Sequence, residues 1–338
     1  MSSSEQPILQ VEDLVTAFQT EAGEVHAVDG VSFSVERGRT LGIVGESGCG
    51  KTVTALSVIR LLPLPAASIL RGRIMFEGED LAAASLDRMH EVRGDRIGMI
   101  FQEPMTALNP VHRVGRQISE ALRLHRDVND EEALAAAVEM LGKVGIPSPE
   151  IRVTEYPHQL SGGMRQRVMI AMALICDPAL VIADEPTTAL DVTIQAQILE
   201  LLQNMQNELN TSIIMITHDL GVIAETCDDV MVMYAGRVAE QGTVEQVFGA
   251  PRHPYTQGLL SSIPRLTTPR KSKLSAIEGM VPALHEMPAG CRFNNRCPHA
   301  DERCANEFPM LDGTQDGHVA ACHNWRALAA KHATEGSR

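Results

Sequence analysis

Long apolar runs are missing from this chain. The longest, residues 168–176 (VMIAMALIC), falls well short of the roughly 20 apolar residues that a bilayer-crossing helix needs. The first residues, Met1 to Pro7, have neither the cationic start nor the apolar core of a signal peptide, so a soluble, cytoplasmic protein is expected. Positive charge is also scarce: 29 Lys and Arg stand against 43 Asp and Glu, a net charge of −14. That balance opposes binding to nucleic acid or anionic lipid unless a local patch overrides it. The densest basic segment, residues 265–273, holds only four cations and reads as a solvated linker. The seven cysteines are an odd number, which without an export signal argues against a disulfide framework and for thiol or metal chemistry. Aromatic residues make up 3% of the chain, with seven phenylalanines, so each one at a suggestive position is worth weighing.

What is present is organised around Gly45-Glu46-Ser47-Gly48-Cys49-Gly50-Lys51-Thr52. It fits the pattern GxxxxGK(S/T), follows the apolar Leu41-Gly42-Ile43-Val44 and precedes a helix-like segment, as a phosphate loop must. The three glycines let successive N–H groups turn inward toward phosphate oxygens at the positive end of the next helix. Lys51 is then placed for the β- and γ-phosphates and the Thr52 hydroxyl for Mg²⁺. A glycine-rich turn carrying a surface lysine is the plainer alternative.

Strand character precedes the loop at residues 8–11, 25–28 and 31–35, broken at residues 21–23 and 36–38. Phe18 lies in a loop-like segment between them, where it either stacks on an adenine ring or packs in the core. Residues 72–81 read as a hairpin and 97–101 as a buried strand. Helical spacing then dominates up to Leu174, for example over residues 131–144 with Leu134, Val138, Leu141 and Val144 on one side. Strands return at residues 179–183, 212–216 and 230–234 as near-continuous apolar runs separated by helices, the signature of a parallel sheet covered on both faces. The fold class is α/β, with an inserted helical subdomain at about residues 105–178. Proline density rises after Phe248, which places a boundary near Gly249 and a small loop-rich extension over residues 250–338.

Two further elements carry phosphate chemistry. An apolar strand ends in Asp184 and Glu185, the first suited to Mg²⁺ through water and the second to polarising an attacking water. Leu160-Ser161-Gly162-Gly163-Met164-Arg165-Gln166-Arg167 opens a helix with a hydroxyl, free N–H groups and a dipole end suited to an anion. A simple helix cap explains Ser161 but not the paired glycines.

The phosphate loop, Gln102, the Ser161 signature, Asp184-Glu185, Ala189-Leu190-Asp191 and His218 follow one another in an order and spacing that resembles the ATP-binding cassette (ABC) ATPases, across about residues 9–242. The resemblance implies a P-loop nucleotide-binding domain over residues 1–249, with a mixed sheet core and an inserted helical part. It implies two such domains sandwiching two ATP molecules, the Ser161, Gly162, Gly163 and Gln166 segment of one closing on the γ-phosphate held by the other. In that arrangement Gln102 senses Mg²⁺, Glu185 is the catalytic carboxylate, His218 contacts the γ-phosphate and Asp191 organises the interface. Because the chain has one phosphate loop and one signature, it must pair with itself or with a paralogue.

A narrower resemblance is to the ATPase subunits of oligopeptide and dipeptide importers. It rests on residues 101–110 (FQEPMTALNP), Tyr156-Pro157-His158-Gln159, residues 183–192 and His253-Pro254-Tyr255-Thr256. This implies a peripheral subunit at the cytoplasmic face of the inner membrane, working with two integral permease subunits and, indirectly, a solute-binding protein. The rival reading, a soluble ABC ATPase acting on nucleic acid or ribosomes, is opposed by the net charge.

Cys291, Cys297, Cys304 and Cys322 lie in the proline-rich extension, four thiols suited to a tetrahedral Zn²⁺ or an iron–sulfur cluster. The spacing lacks the paired CxxC of zinc ribbons. Similar extensions in the peptide-importer ATPases imply a four-iron four-sulfur cluster in preference to zinc, with four reduced structural cysteines as the plain alternative.

Overall fold

The computed structural model describes residues 6–21, 23–103, 107–188, 190–263 and 277–329, which form two compact units interleaved along the chain. One comprises the described residues up to Leu9 with Ser34–Thr40 and Met75–Ile216; the other comprises Gln10–Phe33, Leu41–Ile74 and the described residues from Thr217 onward. The basic run at 265–273, Pro104, Met105 and Thr106 of the FQEPMTALNP segment, and Ala189 lie outside the described residues.

In the first unit the strands Ile97–Ile100, Leu180–Asp184 and Ser212–Ile216 pair in parallel, Ile97 opposite Leu180 and Leu180 opposite Ser212. Every residue of the last two is buried, so neither strand has a solvent side to mark with polar residues. The helix Gly162–Leu174 packs close to this sheet, because a Cβ on Gly98 would lie 2.3 Å from the Ala173 carbonyl oxygen. The hairpin expected at residues 72–81 forms, Met75 pairing with Asp80 through a turn at Glu77 and Gly78, both in the left-handed region.

The helix Asp130–Lys143 starts at a capping box in which Asn129 accepts from the Glu131 and Glu132 amides and Glu132 accepts from the Asn129 amide. Its buried face is Ala133, Ala137, Met140 and Leu141, whereas Leu134 is 44% exposed. Leu141 and Val144 are buried as expected, while Leu134 and Val138 give way to Ala133 and Ala137. The expectation favoured the bulkier side chains, and the structure buries the two alanines in place of Leu134 and Val138.

In the second unit the segment before the phosphate loop forms two long strands, Leu9–Thr20 and Gly23–Val35, in place of three short ones. The gap between the strands expected at 25–28 and 31–35 closes, with Gly30 at φ +73° inside the strand. Strand Thr40–Val44 pairs in parallel with Asp229–Tyr234, Leu41 opposite Asp229, and Arg237–Thr243 then adds antiparallel. The sheet is therefore mixed. The C-terminal extension continues it, with Glu240 paired to Ala320 and Val319–Ala320 paired to Asp312–Gly313.

That junction is fixed by Glu240, which is fully buried. It accepts from the Arg252 amide at 2.7 Å and the His253 amide at 2.9 Å, and lies 2.7 Å from His318 Nε2. A buried carboxylate is tolerated only when donors surround it in this way. Beside it Tyr234, Tyr255, Phe293 and His253 pack ring against ring, with centroids 4.7–5.8 Å apart.

His253 caps the helix Pro254–Ser261 by accepting the Tyr255 amide on Nδ1 at 3.0 Å. Burial pushes its pKa down to about 4, against the opposing pull of Glu240. The unfolded histidine therefore binds a proton below about pH 6.5 while the folded one does so only near pH 4, and stability is lost as pH falls through that window. In urea denaturation, the stability advantage of wild type over His253→Asn should shrink by roughly 3 kcal/mol between about pH 7.5 and about pH 4.5. An unchanged difference would clear His253 of this role.

Candidate active site

The second unit carries the phosphate loop. Gly45 takes φ +154°, and a Cβ there would stand 2.2 Å from the Met233 carbonyl oxygen. Gly50 takes φ +101°, with the Ala27 carbonyl oxygen 2.5 Å from its would-be Cβ. No side chain fits at either place. Gly48 also has positive φ but nothing within 4 Å, and with Ser47 it forms the exposed tip. Gly50 starts the helix Lys51–Val58 without a side-chain cap, so no side chain competes for the first amides of that helix. Lys51 is 6% exposed, and its ammonium donates to the Gly45 carbonyl at 2.8 Å and the Glu46 carbonyl at 3.2 Å. Thr52 is exposed on the first turn.

His218 is exposed in the same unit, between Thr217, whose amide donates to the Ile43 carbonyl at 3.3 Å, and Asp219, which caps Leu220–Thr226. Phe18 lies in the strand Leu9–Thr20, half-buried, and not in the loop expected for it. Glu46 has partners that sequence reasoning missed. Its carboxylate receives both guanidinium arms of Arg296, and its amide donates to Tyr255 Oη at 2.8 Å. Tyr255 was visible within the His-Pro-Tyr-Thr run, but nothing local to Arg296 marks it.

The first unit carries the carboxylates. Asp184 ends its strand 2% exposed. Glu185 follows with φ +47°, its amide donating to the Ile216 carbonyl at 2.8 Å. A left-handed glutamate is strained by about 1–2 kcal/mol, and such strain collects where a side chain must be aimed. Its Oε2 accepts from Gln102 Nε2 at 3.1 Å and from Thr188 Oγ1 at 2.8 Å. Gln102 and Glu185, 83 positions apart, are thus brought together, and Thr188 joins them from the Pro-Thr-Thr that trails the strand.

Ser161 caps the helix Gly162–Leu174 by accepting the Met164 amide at 3.3 Å. Gly162 is open to solvent, while a Cβ on Gly163 would lie 3.2 Å from Ile194. Gln166 is turned inward, 1% exposed, its Nε2 without a hydrogen-bond partner among the described residues. Asp191 caps the helix Val192–Leu209 through the Ile194 amide at 3.0 Å.

Cys291, Cys297, Cys304 and Cys322 line one small cavity with His253, His299 and His323. Even so, among the described residues no three His, Cys, Asp or Glu side chains form a group that could hold a metal ion. Burial pushes all four thiols up, Cys291 to about 11 and Cys322 to about 12, so they are neutral at physiological pH. Cys49 and Cys176 are buried and Cys227 partly so, as expected of packing positions. Among the described residues no helix is long and apolar enough to cross a membrane.

Comparison with known proteins agrees with this arrangement. The family profile described as "ABC transporter" matches residues 28–188, and that described as "Oligopeptide/dipeptide transporter, C-terminal region" matches residues 239–304. A probable peptide ABC transporter ATP-binding protein of Sinorhizobium fredii is 54% identical over 320 residues, covering 95% of each chain. The chain belongs to the ABC transporter ATP-binding proteins. The oligopeptide transport ATP-binding protein OppD of Bacillus subtilis is 52% identical over 92% of this chain and 87% of its own. The dipeptide transport ATP-binding protein DppD of Bacillus subtilis is 51% identical over 93% of this chain and 94% of its own. Among solved structures, cbiO1 of Clostridium perfringens, part of an ABC transporter complex, superposes with a TM-score of 0.62 at 31% identity, covering 72% of this chain and 92% of that one. This cassette therefore has the ABC ATPase fold, a mixed-sheet α/β core.

The two tight glycines and the open one separate sterics from flexibility. Gly45→Ala is expected to weaken binding of a fluorescent ATP analogue more than tenfold, because the methyl meets backbone. Gly48→Ala, which meets nothing, should cost about threefold or less, from its positive φ alone. Equal losses for the two would contradict this geometry.

Proposed function

We propose that this chain is the ATP-hydrolysing subunit of an ABC importer for dipeptides, oligopeptides or a related small solute. Its cassette would occupy residues 1–249, with the helical subdomain at about 105–178, and its extension residues 250–338. The observation that carries the reading is the Glu185 carboxylate, aimed by left-handed backbone and held by Gln102 and Thr188, in a chain that also carries an intact phosphate loop. The relatives named for peptide, oligopeptide and dipeptide transport, together with the match of the C-terminal region, support peptides as cargo.

The loop amides of Gly45, Glu46, Ser47, Gly48, Cys49 and Gly50 would bind the β- and γ-phosphates, with Lys51 swinging from the Gly45 and Glu46 carbonyls onto them. Thr52, Gln102 and Asp184 would hold Mg²⁺, which when bound neutralises developing phosphate charge. Glu185 orients and polarises the attacking water, and His218 contacts the γ-phosphate. Phe18 is proposed to stack on the adenine. Ser161, Gly162 and Gly163 of a second cassette would complete the site with exposed amides at a helix start, Gln166 supporting that turn from inside and Asp191 ordering the facing surface. Closure on two ATP molecules and reopening after hydrolysis would drive two permease subunits at the cytoplasmic face of the membrane, with a solute-binding protein supplying cargo.

Glu185→Gln keeps the shape and removes the charge that polarises water. It is expected to leave ATP binding intact, to lower turnover at least a hundredfold and to accumulate an ATP-bound dimer on size exclusion. Hydrolysis at the wild-type rate would remove Glu185 from this role.

The four thiols that share a cavity are proposed to take a metal after small side-chain movements, a four-iron four-sulfur cluster ahead of Zn²⁺. No step of hydrolysis runs through it. Chain purified without oxygen should then carry iron and a visible absorption that bleaches on reduction. A folded chain with neither iron nor zinc would refute metal binding.

A further inference from the structure

Glu46 is an awkward residue to find in a phosphate loop. Its carboxylate sits on the segment whose amides must receive a triphosphate, and its side chain is 31% exposed. The molecule answers this charge from far along the chain. Arg296, whose side chain is 3% exposed, donates to Glu46 Oε2 at 2.6 Å and Oε1 at 2.9 Å, a two-armed pair of the strongest kind. The guanidinium has no freedom to leave. It also donates to the Glu278 carbonyl at 3.0 Å, the Ile277 carbonyl at 3.4 Å and Tyr234 Oη at 3.3 Å. Tyr255 Oη completes the clamp by accepting the Glu46 amide.

We infer that Arg296 is a positioning residue for the phosphate loop: it neutralises Glu46 and fixes the loop, so the C-terminal extension sets part of the affinity for nucleotide. This rests on the ATPase reading above and assigns the extension a part in it. The chemistry is electrostatic. An uncompensated carboxylate beside the loop repels a bound polyphosphate, and the repulsion grows with the number of phosphate charges. A purely structural arginine would lower the affinity for all nucleotides alike.

The test uses the full chain and equilibrium titration with ATP and ADP in the presence of Mg²⁺. Arg296→Ala should weaken ATP roughly tenfold and ADP by less, and added salt should narrow the gap. Glu46→Gln placed in the Arg296→Ala background should restore most of the lost ATP affinity, because the offending charge is gone. Arg296→Lys keeps the charge without the fork and should fall between wild type and Arg296→Ala; it also provides the measurement if the alanine variant does not fold. Wild-type affinity in Arg296→Ala, or a loss equal for ATP and ADP that Glu46→Gln does not repair, would overturn the inference while leaving the ATPase reading intact. A wild-type chain that binds no ATP would overturn both.

Discussion

A polyphosphate gripped by backbone amides demands a loop from which side chains have been cleared, and this demand shapes much of the second unit. Gly45 lies against the Met233 carbonyl and Gly50 against the Ala27 carbonyl, so the loop is pressed onto the strand Asp229–Tyr234 and onto the strand Gly23–Val35 at once. Both supports must be rigid for the amides to hold their aim. The fully buried strand Thr40–Val44, paired in parallel with Asp229–Tyr234, supplies that rigidity on one side. On the other, Asp29 binds Arg237 at 2.7 Å and also pairs with Arg292, tying the long strand to the sheet edge and the extension. Glycine makes the bend possible, and packing keeps it in place.

The extension belongs to the same construction. A short, proline-rich segment would fold poorly alone, and here it need not. It borrows a sheet edge through Glu240 and Ala320, satisfies one buried carboxylate with three donors, and places Phe293 against Tyr234 and Tyr255. The scarce aromatics are thus concentrated where the extension meets the cassette. The four thiols sit just beyond this cluster, and Phe293 and His253 line their cavity as well.

The fold class, the parallel strands and the helical segment were legible because each follows from a single run of residues. So were the tight glycines Gly45 and Gly50 and the Ser161 cap, which are local patterns with a fixed geometric meaning. Three kinds of feature were not. The strand Gly23–Val35 was read as two short ones because Asp29 and Gly30 interrupt its apolar pattern, whereas the structure carries the strand through with Gly30 at φ +73°. Leu134 was misplaced because the hydrophobic pattern favours bulk, whereas the face that is buried includes Ala133 and Ala137. Long-range partners such as Thr188 for Glu185 and Arg296 for Glu46 had no local signal at all.

That last class bears most directly on function. Glu185 and Glu46 are both carboxylates next to phosphate chemistry, yet the structure treats them in opposite ways. Glu185 accepts from Gln102 and Thr188, neutral donors that can steer a carboxylate, as the role proposed for it requires. Glu46 receives a guanidinium that cancels its charge. The pattern is consistent with chemistry at the first and silence at the second, since a loop that binds anions gains nothing from a negative side chain of its own. Why the loop keeps a glutamate then has a physical answer. The carboxylate is the handle by which a distant segment, one residue from Cys297, takes hold of the loop, and an uncharged residue there would leave Arg296 no carboxylate to grip.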